Sequence, residues 1–170
     1  LASGKADLIA LGRQSICDPY FPRKIYEGKK NLLFHCMGCR QRCSPDIGCE
    51  ADDIGSSCMI NPFTNKETRW KILRTDQPKK VVVIGAGCAG LQCSWILAAR
   101  GHDVTIYEKN DHIGGNLIAA SAPPMKYGFL QALQTEMEHC REYGVKIILN
   151  TEITQNDLLD LKADCVINAI

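Results

Sequence analysis

The second half of the chain alternates short apolar runs with longer amphipathic stretches. The apolar runs predict β-strands at residues 81–84, 104–108, 145–149 and 165–169. Between the strands, the spacing of apolar side chains predicts helices at residues 88–100, 127–143 and 156–161. Strands that alternate with helices are typical of a parallel sheet covered on both faces. The pattern therefore predicts an α/β fold with a doubly wound, largely parallel sheet.

The first 76 residues lack this regular alternation. Residues 6–11 are interpreted as a short buried strand, Gly12 and Arg13 as the turn after it, and residues 22–27 as the start of a helix. Residues 35–75 contain five cysteines and little periodicity, which indicates a loop held by something other than an apolar core. We therefore predict three regions: the end of an α/β unit at 1–34, a cysteine loop with a linker at 35–76, and an α/β domain at 77–170.

Composition excludes several classes of protein. With 45% hydrophobic and 23% charged residues the chain is globular, and its net charge of +1 argues against a nucleic-acid partner held by bulk charge. Its longest apolar runs are too short to span a bilayer. Ten cysteines without a visible secretory signal favour a cytoplasmic protein whose thiols stay reduced or bind metal. The missing initiator Met and the strand-like run at the end predict an internal piece of a longer protein; homo-oligomerisation stays open.

A glycine-rich motif lies between the first strand and the first helix of the α/β domain. Residues 85–90 read G-A-G-C-A-G, which matches G-x-G-x-x-G. Gly85 permits the tight turn, Gly87 lets the backbone approach a pyrophosphate, and Gly90 lets helix and strand pack closely. Glu108 ends the next strand, where its carboxylate can accept hydrogen bonds from ribose hydroxyls. This strand–turn–helix–strand–acid order predicts a Rossmann-like dinucleotide site; the alternative is a glycine-rich turn with no ligand.

A second glycine pair indicates which dinucleotide binds. Gly114 and Gly115, followed by Asn116, resemble the FAD-binding turn of flavoproteins with two dinucleotide domains. A simple NAD dehydrogenase has no need for this turn. We therefore predict FAD, with its site formed by the two glycine motifs and the acidic strand end: Gly85, Ala86, Gly87, Gly90, Glu108, Lys109, Gly114, Gly115 and Asn116.

The cysteine loop has the spacing of a metal centre. Three thiols follow one another as Cys36-x2-Cys39-x3-Cys43, and Cys58 follows after 14 intervening residues. Three close thiols with a distant fourth suit a 4Fe–4S cluster, in which each iron takes one thiolate. Cys49 competes with Cys58 for the fourth place, and zinc is the alternative metal.

The order of these motifs resembles one family along the whole chain. Residues 6–13, 18–19, 24 and 27–28 resemble the last strand of an old-yellow-enzyme barrel, which is a TIM barrel, and the segment after it. The sequences C-M-G-C-R-Q-R-C at 36–43 and C-M-I-N-P at 58–62 resemble the cluster loop of NADH:flavin oxidoreductases of the 2,4-dienoyl-CoA reductase and trimethylamine dehydrogenase group. Residues 81–90, 101–102, 107–109 and 114–115 resemble the nucleotide domain of the same group.

The resemblance implies cofactors and a reaction. It places Gly12 and Arg13 at the phosphate of an FMN bound by the barrel, and it implies FAD, or only ADP, in the nucleotide domain. Electrons would pass from NAD(P)H through FAD and the 4Fe–4S cluster to FMN, which would reduce an activated C=C bond of the 2-enoate or enoyl-CoA type. The small-molecule substrate would bind the barrel outside this chain, so the piece alone is expected to be inactive. An amine dehydrogenase and a non-catalytic nucleotide-binding fragment are the alternatives.

Overall fold

The structure of the chain is a computed structural model that describes residues 2–43 and 56–170. The chain folds into two compact units, Leu1–Trp70 and Lys71–Ile170. The first unit is built from short helices and loops, and the second is built around a parallel sheet.

The described residues of the first unit form two six-residue helices, α1 (Gly12–Cys17) and α2 (Phe21–Tyr26), and a 3-10 turn at Lys30–Leu32. A buried carboxylate joins them. Asp18 accepts hydrogen bonds from the N–H groups of Tyr20 and Phe34, and it pairs with the Lys24 ammonium at 2.7 Å. Because a buried charge without its partner is costly, this pair fixes the path of the chain from α1 to Phe34.

The strand predicted at residues 6–11 is not formed. These residues lie in an irregular segment, and the side chains of Leu8 and Ile9 are 89% and 62% exposed. A strand needs a hydrogen-bonded neighbour, and the described part of the first unit contains no strand to pair with it. The turn predicted at Gly12 and Arg13 is also wrong, because these residues begin helix α1.

The second unit has a four-stranded sheet in the order β3-β2-β1-β4, with every neighbouring pair parallel. Its strands are β1 (Lys80–Ile84), β2 (Asp103–Tyr107), β3 (Lys146–Ile148) and β4 (Cys165–Asn168). Its helices are α3 (Cys88–Ala99), α4 (Asn116–Ser121) and α5 (Gly128–Glu142), and a 3-10 helix spans Gln155–Leu159. The predicted α/β fold with a parallel sheet is confirmed, and the strand and helix bounds agree within two residues. Helix α4 was not predicted.

The sheet places its most apolar strand at the centre. Val81, Val82 and Val83 of β1 are buried, as are Ile106 of β2 and Leu91 of α3. In register, Val82 lies beside Thr105 of one neighbouring strand and Val166 of the other. Continuous apolar sequence is what a parallel strand covered on both faces requires. No helix in the described residues is long and apolar enough to cross a membrane.

Helices α3 and α5 enclose a polar cluster that the sequence pattern did not reveal. Trp95 of α3 stacks on the ring of His139 at 4.7 Å between centroids, and its indole N–H donates to Glu136 Oε2 at 2.7 Å. Glu136 is only 4% exposed. Burial raises the pKa of Glu136 to about 7, although the hydrogen bond from Trp95 opposes the rise.

Replacement of Glu136 by glutamine should flatten the dependence of stability on pH. The folded protein holds the Glu136 proton more tightly than the unfolded chain, so the free energy of unfolding decreases as pH rises from about 4.5 through about 7. We expect Glu136→Gln to remove about 2–3 kcal/mol of this decrease between pH 5 and pH 8. Urea unfolding at the two pH values measures it. The control is Glu142→Gln, an exposed position on the same helix, and an unchanged pH dependence in Glu136→Gln would contradict the assignment.

Candidate functional site

The glycine motif forms the connection from β1 to α3, and two of its glycines are required by the fold itself. Gly85 has φ +103°, and a Cβ there would lie 2.8 Å from the Ala169 carbonyl oxygen. A Cβ on Gly90 would lie 1.9 Å from the Gly85 carbonyl oxygen. No side chain fits either position, so these glycines let α3 begin directly against the end of the sheet.

Gly87 differs from its two neighbours in the motif. It has the extended backbone conformation that any residue adopts, at φ −75° and ψ −175°, and no described atom lies within 4 Å of the Cβ it could carry. Gly87 also precedes the first turn of α3, a helix of 12 residues whose first N–H groups point out of its N-terminus. Open space in front of such N–H groups suits an anion such as a pyrophosphate.

The second glycine pair packs directly on the first motif. The Gly114 N–H donates to the Ala86 carbonyl at 2.8 Å, and a Cβ on Gly115 would lie 3.3 Å from the Gly87 Cα. Both residues have positive φ, +112° and +48°, and Asn116 then begins α4. The fold therefore brings together the two glycine motifs that the sequence separates by more than twenty residues.

Glu108 joins the end of β2 to the same turn. Its carboxylate accepts hydrogen bonds from the Ala86 N–H at 2.8 Å and from the backbone and side-chain nitrogens of Asn110 at 2.9 and 2.7 Å. Burial would raise the pKa of Glu108, but these hydrogen bonds outweigh it, and the pKa lies below its ordinary value. Three of about four acceptor positions on the carboxylate are used within the protein, which leaves about one for a ribose hydroxyl. Lys109, the next residue, is exposed.

Asn110 orients the Glu108 carboxylate, a role that the sequence pattern does not predict. Asparagine directly after a strand is an ordinary turn residue, and nothing in its spacing indicates that it orients the carboxylate two positions earlier. In the structure its N–H and amide both hold Glu108 Oε1. Asn110 therefore keeps the carboxylate aimed at the turn.

A second candidate site lies in the first unit, where the four predicted cluster ligands line one cavity. These are Cys36, Cys39, Cys43 and Cys58. Helix α1 holds the first of them: the Gln14 amide accepts from the Cys36 N–H at 3.0 Å and donates to the Phe34 carbonyl at 2.8 Å. Gly38, between Cys36 and Cys39, has φ +73°, a backbone conformation that favours glycine, and both cysteines line the cavity. Cys49, the competing fourth ligand, lies outside the described residues.

The kind of metal centre at these cysteines stays a prediction. In the described residues no group of three His, Cys, Asp or Glu side chains is arranged to hold one metal ion. The four predicted ligands nevertheless line one cavity. Zinc takes four ligands around one ion, whereas each of the four irons of a cubane takes its own thiolate.

The charge state of Cys58 also suits metal binding. A hydrogen bond from the Cys17 thiol, helped by the N–H groups of Asn61 and Ile60 and opposed by burial, lowers the pKa of Cys58 to about 6. The thiolate is the form that ligates metals. The lowered pKa therefore favours the metal-binding form of Cys58.

Gly12 and Arg13, the predicted FMN phosphate ligands, open helix α1 at the surface of the first unit. The Arg13 side chain lines the cysteine cavity. No atom of the described residues lies within 4 Å of a Cβ built on Gly12. The structure therefore leaves both residues accessible.

Comparison with known proteins assigns the family. Residues 83–136 match the NAD(P)-binding Rossmann-like domain. The chain is 38% identical to a metal reductase of Desulforamulus reducens over 159 residues, which are 94% of this chain and 23% of that protein. It is 32% identical to a cinnamate reductase of Clostridium sporogenes over 169 residues, 99% of this chain and 25% of that protein. The structure of a 2-naphthoyl-CoA reductase superposes with a TM-score of 0.91 at 34% identity and covers 99% of this chain and 25% of its own.

The chain belongs to the NADH:flavin oxidoreductase group of 2,4-dienoyl-CoA reductase and trimethylamine dehydrogenase. It spans about a quarter of the length of the curated relatives it matches. Because the likeness in structure extends over 99% of the chain, it includes the segments interpreted as the barrel end and the cysteine loop as well as the Rossmann-like domain. The predicted fold class is confirmed, and flavin-dependent oxidoreduction is the chemistry of the group.

Two glycine substitutions should separate nucleotide binding from folding. Gly87→Val meets open space and an ordinary backbone conformation, so we expect normal stability but loss of the dinucleotide, because the side chain enters the phosphate space. Gly90→Ala meets a backbone oxygen at 1.9 Å, and we expect a loss of about 3 kcal/mol or more in the free energy of unfolding. Urea unfolding and the fluorescence of released flavin measure the two effects. Normal dinucleotide binding by Gly87→Val would show that the pyrophosphate lies elsewhere.

Proposed function

We propose that this chain is part of an NAD(P)H-dependent flavin and iron–sulfur oxidoreductase that reduces an activated C=C bond of the 2-enoate or enoyl-CoA type. One observation carries the proposal: a chain of this group contains both a dinucleotide turn with open space before α3 and a cavity lined by the four predicted cluster ligands. Two relatives, a cinnamate reductase and a 2-naphthoyl-CoA reductase, favour an unsaturated acid or thioester as substrate.

For the nucleotide domain we propose FAD. The pyrophosphate would lie before α3 at Gly87, and the second glycine pair would line the same space, since Gly115 contacts Gly87. Glu108 would accept a ribose hydroxyl with its remaining acceptor position, beside the exposed ammonium of Lys109. In this assignment Ala86 contributes through its backbone, whose N–H orients Glu108 and whose carbonyl holds Gly114.

For the first unit we propose a 4Fe–4S cluster on Cys36, Cys39, Cys43 and Cys58. When bound, the flavins and the cluster supply the two-electron and one-electron chemistry that carries reducing equivalents from NAD(P)H to the substrate. The chain's own residues have defined tasks in this proposal. Gln14 fixes the backbone at Cys36, and the N–H groups at Ile60 and Asn61 stabilise the Cys58 thiolate.

Gly12 and Arg13 are proposed to contact the phosphate of FMN. A guanidinium at an exposed helix start can bind a phosphate with two parallel hydrogen bonds. Its place on the cysteine cavity would also set a positive charge beside the cluster. Reduced thiols suit a cytoplasmic location, which we propose for the protein.

Metal analysis tests the cluster. Anaerobically purified full-length protein should contain iron and acid-labile sulfide in similar amounts. Cys58→Ser should lose both, because one iron of the cluster would lack its thiolate ligand. Cys49→Ser should keep both iron and sulfide. The reverse result would identify Cys49, and not Cys58, as the fourth ligand. Zinc without sulfide would contradict the cluster altogether.

Half-reactions test the function. With the cluster removed by Cys39→Ser, NAD(P)H should still reduce FAD, and an artificial donor should still reduce an enoate at FMN, but turnover of enoate by NAD(P)H should stop. Rapid-mixing absorption spectra of the full-length enzyme measure each step, and Cys165→Ser, at an exposed thiol on β4, is the control. If Cys39→Ser reduced enoate with NAD(P)H at the wild-type rate, the proposed electron path would be wrong. Extraction of ADP without FAD, together with oxidation of a methylated amine, would instead establish the amine dehydrogenase alternative.

A further inference from the structure

Helix α5 packs both on the second glycine pair and on α3, the helix that follows the first glycine motif. A Cβ on Gly114 would lie 2.6 Å from Leu133 Cδ2, so the second pair lies directly against α5. One turn later along α5, the Glu136 carboxylate accepts the hydrogen bond from the Trp95 indole of α3 at 2.7 Å. A movement of α5 away from α3 would therefore also disturb the second glycine pair.

Uncharged donors bind Glu136 at this contact. In the amide orientation that satisfies both side chains, Gln92 donates to Glu136 Oε1 at 3.0 Å, while Trp95 donates to Oε2. Glu136 is buried, and neutral donors supply no full positive charge to replace the lost water. Such a carboxyl group is stable as the acid and costly as the anion. Burial accordingly raises the pKa of Glu136 to about 7.

Other titratable groups face Glu136 from α3 and from α5 itself. Burial, with a smaller effect from the charge of Glu136, raises the pKa of the Cys88 thiol on α3 and of the Cys140 thiol on α5. His139 of α5 stacks on the Trp95 ring, and histidine is a residue type that titrates near neutral pH. Helix α4, which also packs on α5, contains no titratable residue. A test must therefore separate Glu136 from His139.

We propose that a proton on Glu136 holds α5 against α3 and thereby makes retention of the dinucleotide dependent on pH, with Glu136 as a positioning residue. When this proton passes to water, the anion is stabilised by hydration, which it gains only if α5 moves away from α3. That movement would take Gly115 away from Gly87 and open the pyrophosphate space between the two motifs. The proton and the dinucleotide favour the same packed arrangement, so each strengthens the binding of the other. The inference rests on the proposed dinucleotide site.

Release of the dinucleotide should accelerate as pH rises. The packed arrangement holds the Glu136 proton more tightly than the displaced one, so its advantage is fully present below about pH 4.5 and decreases through about pH 7. One proton lost for each opening raises the rate of release by up to about tenfold per pH unit within this range.

The test is the rate of flavin release from the full-length holoenzyme after dilution into buffers from about pH 5 to about pH 8. Chromatography separates released FAD from released FMN. Wild-type enzyme should release FAD faster as pH rises. Glu136→Gln is neutral at every pH and can still accept from Trp95, so its release should stay slow and nearly independent of pH. Glu142→Gln, an exposed position on the same helix, should show the wild-type profile.

A second variant should move the profile in a defined direction. Trp95→Phe keeps an aromatic ring against His139 but lacks the N–H that stabilises the ionised carboxylate. The acceleration should therefore continue to higher pH than in the wild-type enzyme. A carboxyl group that only fills space at the contact would not produce this shift, and the measurement does not require Glu136→Gln.

Three results would overturn the inference. The first is FAD release that does not depend on pH in the wild-type enzyme. The second is an equal rise in wild type and Glu136→Gln, which would assign the proton to another group such as His139. The third is a wild-type profile in Trp95→Phe. Full-length protein that contains neither FAD nor ADP would instead contradict the proposed nucleotide site, so the two failures are distinguishable.

Discussion

The contact between Gly90 and the Gly85 carbonyl is the constraint on which the second unit depends. At a Cβ-to-oxygen distance of 1.9 Å no side chain larger than hydrogen fits, so α3 lies as close to the β1 turn as two backbones allow. This closeness leaves the N-terminus of α3 facing open space at Gly87. Had a larger residue occupied position 90, the helix would have moved away, and its N–H groups would no longer meet a ligand held by the turn.

Other elements then converge on the same turn through polar contacts. Ala86 uses both of its backbone groups, its N–H toward Glu108 and its carbonyl toward Gly114. A buried carboxylate such as Glu108 needs these donors, because a buried charge without hydrogen-bond partners lowers the free energy of unfolding. The requirement to satisfy Glu108 therefore ties β2 to the glycine turn and prepares the site before any ligand arrives.

The first unit is organised by different forces. Few large apolar side chains are buried in its described residues, and polar side chains connect its segments instead. Each of these side chains bonds to a backbone group of another segment: Gln14, Asp18, Asn61 and Thr64. Such hydrogen bonds fix the positions of the backbone segments, although they fill little of the interior. That is what a set of metal ligands needs, because thiol positions decide which metal centre can form.

Local pattern alone determined the parallel α/β sheet, the glycine turn and the thiol spacing, because each is encoded within a few neighbouring residues. The strand at residues 6–11 was predicted wrongly, since strand formation requires a partner that local pattern does not reveal. Helix α4 escaped prediction because its six residues are too few to show a period. Only the tertiary structure placed Glu136 within hydrogen-bond distance of the Trp95 indole. It also brought the end of α1 against the segment after Cys58, through the contact between Asn61 and Cys17, 44 positions apart. Contacts at that separation follow from the packing of whole elements, whose relative positions no local pattern determines.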